Sequence, residues 1–113
     1  MAITYFQDTI FTVDTTLTAP GLGTLLKVAE NNLFATKDYT LITVVANINT
    51  NVIVRLDGSI DGTNFAPIIS DKTITADGPH CHHVRMPVKW VRPRFVSERG
   101  GTAAEVTFNI AAL

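Results

Sequence analysis

The sequence predicts an all-β domain, an antiparallel two-sheet β-sandwich of jelly-roll-like or immunoglobulin-like type with about seven to eight short strands. Three observations predict it. Threonine, valine and isoleucine recur along the whole chain, and branched Cβ atoms fit a pleated sheet better than a helix. Glycine, proline, asparagine and aspartate break the sequence at short intervals, as short strands joined by turns require. Between those breaks, apolar and polar residues tend to alternate, so one face of each segment is suited to a core.

The elements follow in order. Ile3 to Thr18 alternates loosely and ends at the break Ala19-Pro20-Gly21-Leu22-Gly23, so residues 1–23 read as an N-terminal arm or edge strand and residues 24–113 as the sandwich. From Thr24 to Leu33 a short amphipathic helix capped by Thr24 competes with a strand at Leu26-Lys27-Val28; the β character of the neighbouring segments favours the strand. Tyr39–Asn49 and Val52–Ser59 read as a hairpin turning at Asn49-Thr50-Asn51. Both faces of its first arm are largely apolar, which places that arm centrally in its sheet. In the second arm Val52, Val54 and Leu56 share one side, and Ile53, Arg55 and Asp57 the other.

Turns are predicted at Asp57-Gly58 and Asp61-Gly62, then short strands at Ala66–Ile69, with an edge-type proline, and at Thr73–Thr75. Val84 to Val96 contains Pro87 and Pro93. It therefore predicts two strands, or one kinked strand with an exposed hydrogen-bonding side, with Val84, Met86, Val88, Trp90, Arg92, Arg94 and Val96 on one side and Val91 and Phe95 on the other. A Gly-Gly turn precedes a last strand, Glu105–Ala111, with Val106, Phe108 and Ile110 inward.

Composition bounds the function. The chain has 113 residues, enough for one core that buries roughly two thirds of the unfolded surface. Only 17% of residues are charged, below the usual quarter or so, which predicts that part of the surface is covered by another chain. A net charge of -1 argues against a general polyanion binder, so no nucleic acid is expected as partner. The first residues lack the basic and apolar regions of a signal peptide, and no apolar run approaches the roughly 18 residues of a membrane span. With one cysteine, Cys81, no internal disulfide can form, and folding in a cytoplasm is expected.

Candidate chemistry is sparse. His80-Cys81-His82-His83 gathers every histidine and the cysteine, but neighbours on an extended chain point to opposite faces and no second ligand cluster exists. A polar loop or strand edge is the simpler reading, and a metal would require a symmetry axis that brings several chains together. The same adjacency disfavours Cys81 and His82 as nucleophile and base. Asp57 and Asp61 each precede glycine and read as turn formers rather than as a carboxylate pair or calcium ligands. No catalytic residue, metal ligand or cofactor site is therefore assigned. Arg85, Lys89, Trp90, Arg92, Arg94 and Arg99 make the last third locally basic around one aromatic, a composition suited to an acidic protein surface; the simpler reading is that Arg92 and Arg94 flank a proline on an exposed edge and pair with Glu98 or Glu105.

From Val54 through Gly58-Ser59-Ile60-Asp61-Gly62-Thr63-Asn64-Phe65 to Ile68, then Trp90–Val96, Gly100-Gly101-Thr102 and the final strand, the chain resembles small β-sandwich virion structural proteins of tailed bacteriophages. The resemblance covers about residues 39–113. The turn is also similar to that of discoidin-like carbohydrate-binding sandwiches. The phage resemblance implies a virion protein, made in the host cytoplasm, of the capsid decoration (cement) kind or a tail or baseplate component. It further implies the major capsid protein or other virion proteins as partners, and a homo-oligomer, with a trimer favoured, in which the N-terminal arm clamps a neighbour. It carries over no catalytic residue.

Overall fold

The computed structural model describes residues 10–28 and 38–112. Among them every regular element is a strand: β1 Ile10–Leu17, β2 Gly21–Leu22, β3 Leu26–Lys27, β4 Asp38–Ala46, β5 Asn51–Ser59, β6 Ala66–Ile74, β7 Gly78–Arg85, β8 Trp90–Arg99 and β9 Glu105–Ala112. One sheet has the order β1-β9-β4-β7; in the other β2 and β3 both pair with β8, followed by β5 and β6. All pairings are antiparallel. The β-sandwich expected from the alternation is therefore present. It has nine strands rather than seven or eight because β2 and β3 are two-residue bridges onto β8. Ala66–Ile69 and Thr73–Thr75, expected as separate strands, fall largely within one strand, β6, with Pro67 near the start of this sheet edge.

The core is the set of alternate residues that face inward from four central strands. Leu41 and Val45 of β4 and Val106, Phe108 and Ile110 of β9 meet Val52, Val54 and Leu56 of β5 and Val91 and Phe95 of β8, none more than 2% exposed. Burying each such side chain is worth about 1.5–3 kcal/mol. The inward residues of β5 and β9 are those the alternation names, and β4 is central, as its two apolar faces predict.

Two expectations are corrected. β4 and β5 do not form a hairpin: they lie in different sheets. The connection crosses the sandwich, turned by Asn47 at φ 61, tied by the Ile48 N–H to Asp77 Oδ1 at 3.0 Å and by the Thr50 N–H to the Arg99 carbonyl at 3.2 Å. Two strands with apolar faces can bury them side by side in one sheet or face to face across two, and alternation alone does not distinguish these outcomes. The hairpin that does form joins β5 to β6.

The second correction concerns the proline-rich segment. It is two strands, as one of the two expectations has it, and β8 is not a free edge over its first half: β2 and β3 pair with Trp90, Val91, Arg94 and Phe95 on the side away from β5. Its core-facing set is Val91, Pro93 and Phe95, all buried. Pro93 lacks an N–H, but its carbonyl accepts the Gly23 N–H at 2.8 Å. A Cβ on Gly23 would sit 2.6 Å from the Pro93 ring, so glycine is what allows this bridge. Of the segment expected as helix or strand at Thr24–Leu33, Leu26–Lys27 is β3, and residues 29–33 lie outside the described residues, as do Ile3 and Tyr5.

The crossing from β7 to β8 is pinned from inside. Fully buried Tyr39 donates its hydroxyl to the Val88 carbonyl at 3.1 Å, and the same oxygen accepts the Val88 N–H at 3.4 Å. The next residue, Lys89, donates its N–H to the Ser59 carbonyl at 2.9 Å and accepts the Val28 N–H at 2.8 Å. On the opposite edge pair, β6 and β7, half-buried His82 faces inward with its Nδ1 shielded and without a hydrogen-bond partner. Burial first, then the charges of Lys72 on β6 and His80 on β7, push its pKa below the ordinary value of 6.5.

Tyr39→Phe removes both bonds to Val88 and should cost about 1–3 kcal/mol, read as a lower urea midpoint with an unchanged slope. The unfolded chain protonates His82 near its ordinary pKa, whereas the folded chain resists until lower pH. The stability this histidine provides is thus complete above about pH 6.5 and falls as the pH drops through that value. A thermal melt series across this range should show the loss, and His82→Gln should flatten it.

Candidate functional site

The Ser59–Phe65 turn closes the β5–β6 hairpin and is held by a single carboxylate. Asp61 Oδ1 accepts the N–H groups of Thr63 and Asn64, each at 2.8 Å, and the Ser59 hydroxyl at 2.9 Å; Oδ2 accepts the Asn64 side-chain amide at 2.7 Å. Ser59 Oγ in turn accepts the N–H of Gly62 at 2.9 Å and of Asp61 at 3.3 Å. The backbone N–H of Asn64, then that of Thr63, then the Asn64 and Ser59 side chains hold the Asp61 carboxyl well below the usual carboxylate range. These donors already occupy both oxygens. Gly62, at φ 80, lies against the Trp90 indole: a Cβ there would be 3.3 Å from Cζ2. The turn expected at Asp61-Gly62 is therefore built as a cover over one edge of Trp90.

The turn expected at Asp57-Gly58 is not formed. Both residues are buried in β5, paired with Arg92 and Val91 of β8 and with Pro67 and Ala66 of β6. Glycine is needed at 58 for packing, since a Cβ would meet Ile68 Cγ2 at 2.8 Å and Val88 Cγ1 at 3.2 Å. Asp57 and Asp61 thus serve different elements, and the oxygens that a calcium loop would share are not gathered into one shell.

Strand pairing places Trp90, Arg92 and Arg94 on the outer face of the β2/β3-β8-β5-β6 sheet, beside their cross-strand partners Ser59, Asp57 and Arg55. Leu22 pairs with Arg94 and Lys27 with Trp90, which adds both to the same face. The Lys27 Nζ stands 5.5 Å from the Trp90 ring centroid, and the Arg92 guanidinium 4.1 Å from that of Phe65. Arg55 Nε approaches Asp57 Oδ1 at 2.9 Å, without the alignment of a hydrogen bond, and Arg55 Nη1 lies 3.9 Å from Asp71. Among the described residues no carboxylate oxygen lies within 4.0 Å of Arg92 or Arg94, and the shielded Arg92 Nε has no hydrogen-bond partner. Leu22 at 48% and Ile60 at 70% exposure add apolar contacts.

The face therefore presents cations held by a rigid sheet, with two guanidinium groups open to an external carboxylate. Its aromatic rings carry cations rather than an open stacking surface. Of the six residues singled out in the sequence, Trp90, Arg92 and Arg94 come together here. Lys89 lies in the β7–β8 crossing and Arg99 at the far end of β8. Arg85 belongs to the other sheet, where its Nε stands 4.0 Å from Asp38. Lys27, Arg55, Phe65 and Leu22 were not legible as members. Their approach depends on pairings between distant segments, although the alternation of β5 does put Arg55 on its outward side.

The His80–His83 stretch forms β7 and splits by parity: His80 and His82 turn half-buried toward the interior, Cys81 and His83 outward. His80 Nε2 donates to the Ala76 carbonyl at 2.7 Å, and His83 Nε2 stands 3.3 Å from Asp38. Among the described residues no three histidine, cysteine, aspartate or glutamate side chains are grouped as a metal site. Cys81 and His82 face opposite ways, so they do not make a nucleophile–base pair.

No family model and no curated protein matches the chain. Among solved structures it is similar to the crystal structure of SPBc2 prophage-derived protein YomS, with a TM-score of 0.61 over 93% of this chain and 92% of that chain, at 12% identity. At that identity the likeness is one of fold, and it extends over nearly the whole of both chains: the β-sandwich is an architecture that this protein shares with a prophage-derived protein.

Proposed function

We propose that the chain is a bacteriophage structural protein, and specifically a capsid decoration protein that seats its cationic sheet face on an acidic surface of the assembled shell. The observation that carries this reading is the pair of arginines, Arg92 and Arg94, displayed half-buried on the sheet with no carboxylate oxygen of the described residues within 4.0 Å of either, although Asp57 stands across the ladder from Arg92. A half-buried guanidinium with donors left unused gains charge-assisted hydrogen bonds once a partner supplies carboxylates. The fold shared with a prophage-derived protein and the phage-like turn at Gly58–Phe65 support the same origin. The low charged fraction fits a surface partly covered in an assembly.

In mechanism the protein acts by contact. Each copy contributes a modest cation–carboxylate interface, edged by Leu22 and Ile60, and binds across adjoining shell subunits. Many copies on a repeating lattice then add through multivalency. Nothing in this action uses a nucleophile or a bound cofactor.

The test is copy number in purified parent particles, measured by quantitative mass spectrometry. A fixed, simple ratio to the major shell subunit is expected. A handful of copies per particle would assign the chain to the tail or baseplate, and complete absence would overturn the virion reading. Arg92→Gln/Arg94→Glu, which keeps a second carboxylate away from Asp57, should lower binding to undecorated shells by at least about tenfold with the circular dichroism spectrum preserved, and added salt should weaken wild-type binding.

A further inference from the structure

The outer face of the β1-β9-β4-β7 sheet has the opposite character. Pairing arranges its outward residues in rows across the strands: Pro79, Val44, Thr107 and Thr16; Cys81, Ile42 and Asn109; His83, Thr40 and Ala111. None of these residues is an Asp, Glu, Lys or Arg. Ile42 is 37% and Val44 39% exposed, in the middle of the sheet. Among the residues of this sheet whose side chains are described, charge appears beyond the rows, with Asp38 and Arg85 at one end and Glu105 at the other. A solvated sheet face normally alternates toward charge, and a sheet centre carrying Ile and Val outward has the composition of a face that packs on another sheet.

We propose that this face packs on the same face of a second copy of the chain, about a two-fold axis that runs along the Cys81–Ile42–Asn109 row. Size and charge select this occupant. Four strands at about 4.8 Å spacing, eight residues long at about 3.3 Å each, give a footprint of roughly 500 Å² per copy, and a pair of them reaches roughly the 1,000 Å² that a specific interface requires. A smaller partner would leave part of this uncharged field uncovered, whereas an identical sheet matches its length and width. An axis along the row reverses the strands, so the Asp38–Arg85 end of one copy meets the Glu105 end of the other. Because this axis passes Cys81, Arg85, 71% exposed at its side chain, comes to lie across from position 77 of the second copy, an exposed aspartate four residues on the other side of Cys81. Ile42 then stacks on Ile42 of the second copy, and Cys81 lies across the axis from its own counterpart. The interface leaves the cationic face of the other sheet free, so each dimer carries two such faces pointing away from each other. The arrangement is two-fold, in contrast to the trimer that the phage resemblance implies, and it does not depend on the function proposed above.

Sedimentation of the full chain tests it. The expected mass is twice 12.3 kDa at micromolar concentration. Ile42→Thr/Val44→Thr keeps β-favouring side chains, and Asn109→Arg sets like charges across the axis; each should weaken association by at least about tenfold with the circular dichroism spectrum preserved. A short bis-maleimide should link wild-type chains through Cys81, the single cysteine of the sequence. A monomer throughout the concentration range, a trimer mass, a dimer that both folded variants retain, or a dimer that the reagent does not link would each overturn the proposal.

Discussion

Everything in this molecule depends on the burial of one side of four strands. β4 and β9 in one sheet, β5 and β8 in the other, place Leu41, Val45, Val106, Phe108 and Ile110 against Val52, Val54, Leu56, Val91 and Phe95. Because side chains alternate along a strand, fixing these inward residues fixes which residues face out. The two outer faces are thus by-products of one constraint, yet they differ in kind. One carries cations, two of them with no carboxylate oxygen of the described residues within 4.0 Å, and the other is, among the described side chains, an uncharged field with exposed Ile42 and Val44 at its centre.

Polar groups at the crossings make the two sheets one unit. Hydrophobic burial favours stacking but is not directional, so it does not fix where the chain passes from one sheet to the other. Tyr39 supplies that direction by holding both backbone groups of Val88. The Gly100-Gly101 turn packs closely on the crossing from β4 to β5: at φ 86, Gly100 has no room for a Cβ beside the Thr50 side chain. The Asp61 turn acts in the same way on the outside. Its hydrogen bonds hold the loop against Trp90, and Trp90 in turn supports the Lys27 ammonium. The cationic face is rigid because turns, bridges and sheet ladder each fix a part of it.

An edge between sheets is the weaker place. β6 and β7 meet where Lys72, His80 and His82 lie close together, and burial keeps His82 from taking up a proton. The positive charges of Lys72 and His80 add to that effect. Protonation of His82 therefore acts on this edge, away from the cationic face.

Much was legible in the sequence for a local reason. Period-two alternation named the inward residues of β5 and β9, the two apolar faces of Tyr39–Asn49 placed that strand centrally, and the Asp61-Gly62 turn announced itself through its own residues. These features depend on neighbours a few positions apart. What stayed hidden depends on which strands meet. Whether Tyr39–Asn49 and Val52–Ser59 lie side by side or across the core, whether Asp57-Gly58 turns or pairs, and whether Lys27 and Phe65 join Trp90, Arg92 and Arg94 are decided by contacts between distant segments. The sequence by itself determined an all-β chain with its inward faces marked. Only the tertiary structure decided the order of the strands, because antiparallel neighbours and stacked sheets bury the same apolar side chains, and the crossings that choose between them are held by hydrogen bonds between residues far apart in the chain.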